Sequence, residues 1–530
     1  MTRQSILTMG ELKQQRRSAA HRKRRIIFNN DGDEPAMLGR DAALDPLVTR
    51  PRQEFPVSEK GLLAVCTTAL LSSQVDTICY YSTWGMRLHH QEGPFGRLYG
   101  CPDTTRSTQN YREILSQTGK DALEIMIDVC RSNEMEIFYS NRMNDTHDAF
   151  ANNAMHRYYI RQAHPEWSVL TEQEAKHAGW ENYPHPGSCW TAWNFEVPEI
   201  RALTVDALRE VCRNYDIDGI ELDWWRWSLY FKENLELKPA TEEHVDLMNE
   251  LMRAIRRMTE EEGSKRGRPI LIASRCAEDV ALAYSVGLDV QTWLAEDLVD
   301  ILTPSKFLDF TMPMKQLIDL AHDYRVPVYP MVHATAIADG YDSKPAWRGE
   351  ALVRFWEGAD GAYTFNIFDP NLWLWWELGD PETMLGKDTT YVWDYLPSQR
   401  AASDVHHRIR TLCPRTRRPV QVTVEGCEPM PLYVGEDLST AHVVSKSVQL
   451  TLSVRAMGLG DERLLTIAVN GRALSEPEVT PVEDQGGVLL QYRPDDAFFK
   501  FGENQITAAL SRRSVASVEI HAMRLDVSYA

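Results

Sequence analysis

The stretch DGIELDWWRW, residues 218–227, places two acids, Glu221 and Asp223, two residues apart in an otherwise apolar run. Alternate side chains of a strand point to opposite faces, so the acids share one face and Ile220 and Leu222 the other. Their carboxyls then stand about 7 Å apart along the strand. Such a pair suits acid–base work on a glycosidic bond, provided one member is protonated and the other is not. The plain alternative is interior filler in which a buried acid pairs with an arginine, because an unpaired buried carboxylate is costly. A second cluster, NRMNDTHD (141–148), gathers Arg142, Asn144, Asp145, His147 and Asp148. These suit hydrogen-bonding a sugar and holding a carboxylate beside a glycosidic oxygen. Asp145, His147 and Asp148 could also bind a divalent ion, but their spacing fits no strong metal motif and Asx-type turns explain part of it. No metal and no cofactor are therefore expected.

Elements with strand and helix character alternate around these residues. The strand candidates are 25–30, 76–82, 135–142, 218–224, 269–275, 300–307, 327–333 and 361–368. Helix-period segments lie at 58–73, 119–132, 198–214, 241–262, 277–296, 313–324, 345–358 and 388–402. Eight such alternations predict a (β/α)8 TIM barrel of class α/β over 25–411, with chemistry at the C-terminal ends of its strands. Further polar residues fall at those ends: Asp31, Asp33, Arg275, Ser305, Lys306, His333, Asn366 and Asp369. Tryptophans crowd the same regions, among them Trp84, Trp190, Trp193, Trp224, Trp225, Trp227, Trp373, Trp375 and Trp376. Sugar rings stack on such side chains, although plain core packing is the competing reading. No glycine-rich phosphate turn, Walker loop, GxSxG or HExxH motif occurs. Beyond residue 412 the helical period stops. Runs at 418–424, 448–454, 464–474, 487–494, 504–510 and 518–530 predict an all-β sandwich or jelly roll over 412–530, with Asn470–Gly471 as a hairpin turn.

The 530 residues carry a net charge of −19, which argues against nucleic acid as the main partner. The basic stretch KQQRRSAAHRKRR (13–25) is read as part of a solvated, flexible N-terminal tail, residues 1–24. There is no apolar leader and no run long enough to span a membrane, so no membrane partner and a cytoplasmic location are expected. Nine scattered cysteines without a CxxC pair read as reduced thiols.

The runs EIFYSNRMNDTHD, VPEIRALTVDALREVCRNYDIDGIELDWWR, RGRPILIASR and GADGAYTFNIFDP resemble bacterial glycoside-hydrolase-like, family 10-like barrels. The resemblance covers roughly 25–405 and implies a (β/α)8 fold acting on a glycan. DGIELDWW also looks like the chitinase-type motif D-G-x-D-x-D-x-E, with Asp218 and Gly219 matching. Glu221 and Asp223 stand at its inner acids, but Trp225 stands where its catalytic Glu would be. A chitinase activity is therefore not carried over.

The leading expectation is a glycosidase whose partner is a carbohydrate. Asp223 would be nucleophile or water-activating base, and Asp145 or Glu221 the general acid, with Asp369 next after Asp145. Asp31, Asp33, Trp84, Arg142, Asn144, His147, Asp148, Trp225, Arg226, Arg275, His333, Asn366 and Asp369 would bind substrate, the arginines holding carboxylates or acidic sugar groups. The alternatives are a barrel that binds carbohydrate without catalysis, and a lyase-type or metal-dependent carbohydrate enzyme. Sugar, linkage and oligomeric state are not legible.

Overall fold

The computed structural model describes residues 7–39, 55–65, 67–82, 89–102, 106–149, 157–180, 186–305, 313–333, 344–365, 367, 372–394, 409, 412, 419–439, 447–460, 464–482, 487–511 and 517–530. Eight parallel strands form its centre: β1 (Ile26–Asn30), β2 (Val75–Tyr80), β3 (Glu136–Arg142), β4 (Gly219–Asp223), β5 (Leu271–Ala277), β6 (Ile301–Ser305), β7 (Met331–His333) and β8 (Ala362–Thr364). Their order is β6-β5-β4-β3-β2-β1-β8-β7, and a parallel bridge from Leu302 to Val328 joins the two ends. The (β/α)8 barrel is thus closed. Parallel strands are covered on both faces, which is why they read as near-continuous apolar runs. All five residues of β4 are buried, acids included.

The N-terminal segment departs from the tail expected for it. Residues Met9–Ala20 form helix α1, opened by a reciprocal cap between Thr8 and Glu11. Leu12, Arg16 and Ala20 are buried beneath the N-terminal end of the barrel. Arg16 reaches Asp300 Oδ1 at 2.5 Å and Asp297 Oδ2 at 2.7 Å, and Arg24 meets Glu136 at 2.6 Å. A basic run looks solvated in sequence, but here acids at the starts of β3 and β6 hold it.

The helix expected at 388–402 is also corrected. Thr389–Asp394 is strand β9, and it pairs antiparallel with β18 (Val518–Tyr529). Its alternating Thr389, Tyr391 and Trp393 are buried, the period of a half-covered strand. The all-β region therefore recruits a strand from before residue 411. It holds two further groups of strands: β10 (Val420–Val422), β12 (Val448–Met457), β15 (Glu478–Val482) and β16 (Gly487–Tyr492) join β9 and β18, while β11 (Met430–Val434), β13 (Leu465–Val469), β14 (Arg472–Ala473) and β17 (Gly502–Leu510) form a four-stranded sheet. Val353 of the helix Lys344–Trp356 packs into this second core with Tyr391 and Trp393. Among the described residues no helix is long and apolar enough to cross a membrane.

Candidate active site

Strand β4 divides its side chains as alternation requires. Ile220 and Leu222 are fully buried toward the helices, while Glu221 and Asp223 turn to the barrel interior. Arg275 of β5, directly beside Asp223 in register, donates from Nη1 to both Asp223 oxygens at 2.9 Å. Its Nε donates to the Ser305 hydroxyl at 2.9 Å, and its guanidinium lies 3.7 Å from the centre of the Phe365 ring. The Trp225 backbone N–H also donates to Asp223, at 3.0 Å. Asp223 is only 1% exposed, so its cover must shift before a substrate reaches it.

One layer deeper, Glu221 accepts from Asn29 Nδ2 at 2.6 Å, with Ser140 and Tyr363 nearby. Burial, and then the Asp223 charge, push its carboxyl up from 4.5 to about 7. Folding therefore favours the protonated form: the benefit is complete below 4.5 and declines as pH climbs to about 7. Above that, keeping the group ionised costs about 3 kcal/mol. Glu221→Gln is accordingly expected to raise the denaturant midpoint at pH 8 and to leave it nearly unchanged at pH 5. An equal effect at both pH values would show an ordinary carboxyl.

A ladder of charges crosses the strand ends. Asp31 pairs with Arg142 Nη2 at 2.6 Å, and Arg142 Nη1 donates to Asp145 Oδ2 at 2.8 Å. Asp145 Oδ1 meets His147 Nδ1 at 2.5 Å, and Arg226 Nη2 meets His147 Nε2 at 2.9 Å. A guanidinium only donates, so Nε2 accepts and the Nδ1 proton faces Asp145. Burial alone would raise Asp145, but His147 and Arg142 outweigh it and hold the carboxyl well below the usual range. Asp145 is thus a poor proton donor near neutral pH, which corrects its assignment as the first-choice general acid. Arg142 also lies 4.3 Å from the Tyr81 ring centre.

Other expected site residues are taken up by the loops. Asn144 accepts from Trp193 N at 2.6 Å and donates to Leu229 O at 2.5 Å. Asp148 accepts from Arg161 at 2.8 Å. Both tie connections together instead of lining a mouth, and with Asp145 and Asp148 facing guanidiniums the metal reading of that cluster loses its donors. Elsewhere, donor atoms of His89, Asp121 and Glu124 lie within 4.8 Å of one another. There Asp121 and Glu124 cap the helix Ala122–Ser132 reciprocally, and Tyr215 donates to Asp121.

The tryptophans mostly pack. Trp224 and Trp225 are at most 1% exposed, so Trp225 offers no face to a sugar here. Trp375 and Trp376 are placed at the wrong end of the barrel for a sugar platform: Trp375 O accepts from Gln74 N, and the Trp376 indole donates to Ser72 O, just before β2 begins. Trp84, Lys306, Asn366 and Asp369 lie outside the described residues, and of His333 only the backbone in β7 is described.

The strand-1 end carries the remaining acids. Asp31 and Glu34 are buried, and Asp33 between them is exposed. Gly32 has φ +67°, and a Cβ there would come 1.8 Å from the Tyr81 carbonyl oxygen. Only glycine fits this turn, and it sends neighbouring acids in different directions. Asn29, Ser140, Tyr81 and Phe365 are site neighbours that sequence reasoning missed. Asn29 alone had a signal, lying two residues before Asp31 on a strand whose last residues turn polar.

No protein-family profile matches the chain, and no curated protein sequence matches it, so the family 10-like resemblance stands on its motifs alone. Solved structures do align. A cycloisomaltooligosaccharide glucanotransferase of Paenibacillus sp., complexed with cycloisomaltoheptaose, shares 11% identity over 95% of this chain and 57% of its own, with a TM-score of 0.32. An alpha-amylase of Anoxybacillus shares 10% over 93% and 99%, with a TM-score of 0.32. A family 36 alpha-galactosidase of Geobacillus stearothermophilus shares 10% over 96% and 56%, with a TM-score of 0.37. The chain thus spans little more than half the length of the first and third, and likenesses this distant say nothing of its substrate.

Proposed function

We propose that the protein is a glycoside hydrolase that works at the C-terminal end of its barrel, with Asp223 as nucleophile or water-activating base. The observation that carries this reading is the contrast among acids at one strand end. Asp223 is gripped through both oxygens by Arg275, whereas Glu221 and Asp33 are each pushed up to about 7. Acid–base cleavage of a glycosidic bond needs one carboxyl that can hold a proton near neutral pH and another placed to attack or to take a proton from water. In the reaction the C1–O bond breaks and its electron pair stays on the departing oxygen, which takes a proton from a protonated carboxyl. C1 gains a bond to an Asp223 oxygen, which water then displaces at C1 to free the carboxylate, or directly to a water whose proton Asp223 removes. A screen of aryl glycosides and oligosaccharides, run beside Asp223→Asn, tests this. Turnover by the wild type and its loss in the variant support the reading; equal turnover by both removes Asp223 from it.

A second reading is favoured by one observation. Asp223 is 1% exposed, which suits a barrel that binds carbohydrate without cleaving it. Binding of an oligosaccharide without any cleavage in the same screen would favour that reading.

A further inference from the structure

We propose that Asp33 is the proton donor of this site, the group that protonates the departing glycosidic oxygen. The inference rests on the hydrolase reading above and goes beyond it by assigning the acid. Comparison with the other described acids at the strand ends leads to it; Glu278 and Asp279, after β5, are buried, and the Asp279 carboxyl caps the helix Val280–Ser285. Asp31 and Asp145 share Arg142, and Asp148 is held by Arg161. Asp223 is held by Arg275. Glu34 accepts from Asn30 Nδ2 at 2.5 Å and lies 3.4 Å from the Tyr80 hydroxyl. Glu221 lies one layer beneath Asp223 and is held by Asn29, so Asp223 stands between it and the mouth. Asp33 alone among these is open to solvent, and among the described residues its carboxyl makes no hydrogen bond or ion pair.

The local backbone explains why. Asp33 occupies the N-cap position of helix α2 (Glu34–Met37), where an aspartate ordinarily accepts from a backbone N–H of the first turn. It has helical φ and ψ of −84° and −1° and makes no such bond. Its side chain is thereby left for another partner. Gly32, pressed against the Tyr81 carbonyl, reverses the chain between Asp31 and Asp33. One aspartate then meets Arg142 while the next faces outward.

The electrostatics agree with this placement. Although exposed, Asp33 has protein close around it. Desolvation there, followed by the charges of Asp31 and Glu34, raises its carboxyl to about 7 against the opposing pull of Arg142 and Arg226. A donor in that range is protonated often enough to act and acidic enough to give its proton up. In turnover the Asp33 proton passes to the departing oxygen, and the resulting carboxylate recovers a proton from the incoming water or from solvent. Arg142 and Arg226 stand close by and favour the negative charge left on Asp33 once its proton has gone.

The test compares wild type with Asp33→Asn and Asp33→Ala on aryl glycosides graded by leaving group. Substrates with poor leaving groups need protonation and should lose about a hundred- to ten-thousand-fold in kcat/KM. Dinitrophenyl glycosides, which leave unaided, should lose roughly tenfold or less, and the alkaline limb of the pH profile should vanish. An equal loss for every leaving group, or a limb that persists, overturns the assignment while leaving the hydrolase reading intact. A wild type that turns over nothing overturns both. A substrate-free measurement guards against a misfolded variant: NMR of isotope-labelled aspartate carboxyls in the full chain. One aspartate should titrate near 7 and be missing in Asp33→Asn. If every aspartate titrates below about 5, the assignment fails.

Discussion

Asp223→Asn is expected to lower turnover by about a hundred- to ten-thousand-fold or more, the loss seen when a positioned acid–base group is removed. The amide keeps the shape but cannot accept from Arg275 through two oxygens at 2.9 Å, nor attack a sugar carbon. The variant also takes the Asp223 charge away from the fully buried Arg275 guanidinium. Breaking a buried pair this way costs about 3–5 kcal/mol, so lost activity could reflect a weakened fold. The double variant Asp223→Leu with Arg275→Met separates the two effects, because exchanging a whole buried ion pair for apolar groups is often neutral in stability. It should melt close to the wild type and remain inactive. A double variant that regains activity would place the chemistry elsewhere.

Asp300→Ala is expected to destabilise the protein by about 3–5 kcal/mol. Its Oδ1 accepts from Arg16 Nη1 at 2.5 Å, and its Oδ2 accepts from Arg256 Nη2 at 2.9 Å and from Ile272 N at 2.7 Å. Removing the carboxylate takes away the ion pair of the buried Arg256 and leaves Arg16 of α1 with Asp297 and Glu260 alone. Denaturant unfolding would report the loss, and limited proteolysis should cut earlier in the first 24 residues. Unchanged stability and protection would mean that this basic segment is the loose tail its composition suggests.

The barrel was legible because parallel strands, covered on both faces, leave contiguous apolar runs between amphipathic helices. All eight strand candidates contain or overlap a barrel strand, and the helix 198–214 matches to the residue. The missed strands have a physical reason. β11 carries Pro431 and β15 carries Pro481, residues that argue against a strand, and both lie at sheet edges, where a missing N–H is tolerated. β9 was misread because its partner, β18, lies more than a hundred residues downstream. At the site, alternation turned Glu221 and Asp223 inward, and the register of β4 and β5 then sets Arg275, expected only at the end of its strand, beside Asp223. Spacing could not show that Arg142 folds back on Asp145 and holds it ionised. Nor could it show that Asp33 leaves its own helix uncapped, since any aspartate before a helix reads as a cap. Ion pairing and access decide which acid can donate, and both depend on residues far apart in the chain.

Cleavage of an oligosaccharide in heavy-oxygen water, with mass spectrometry of both fragments, tests the central claim most directly. Hydrolysis at Asp223 with Asp33 as donor predicts one solvent oxygen on the new reducing-end carbon and none on the released alcohol. Fragments without solvent oxygen and with an unsaturated sugar would mean elimination, and an intact, bound oligosaccharide would mean that the barrel holds sugar without cutting it.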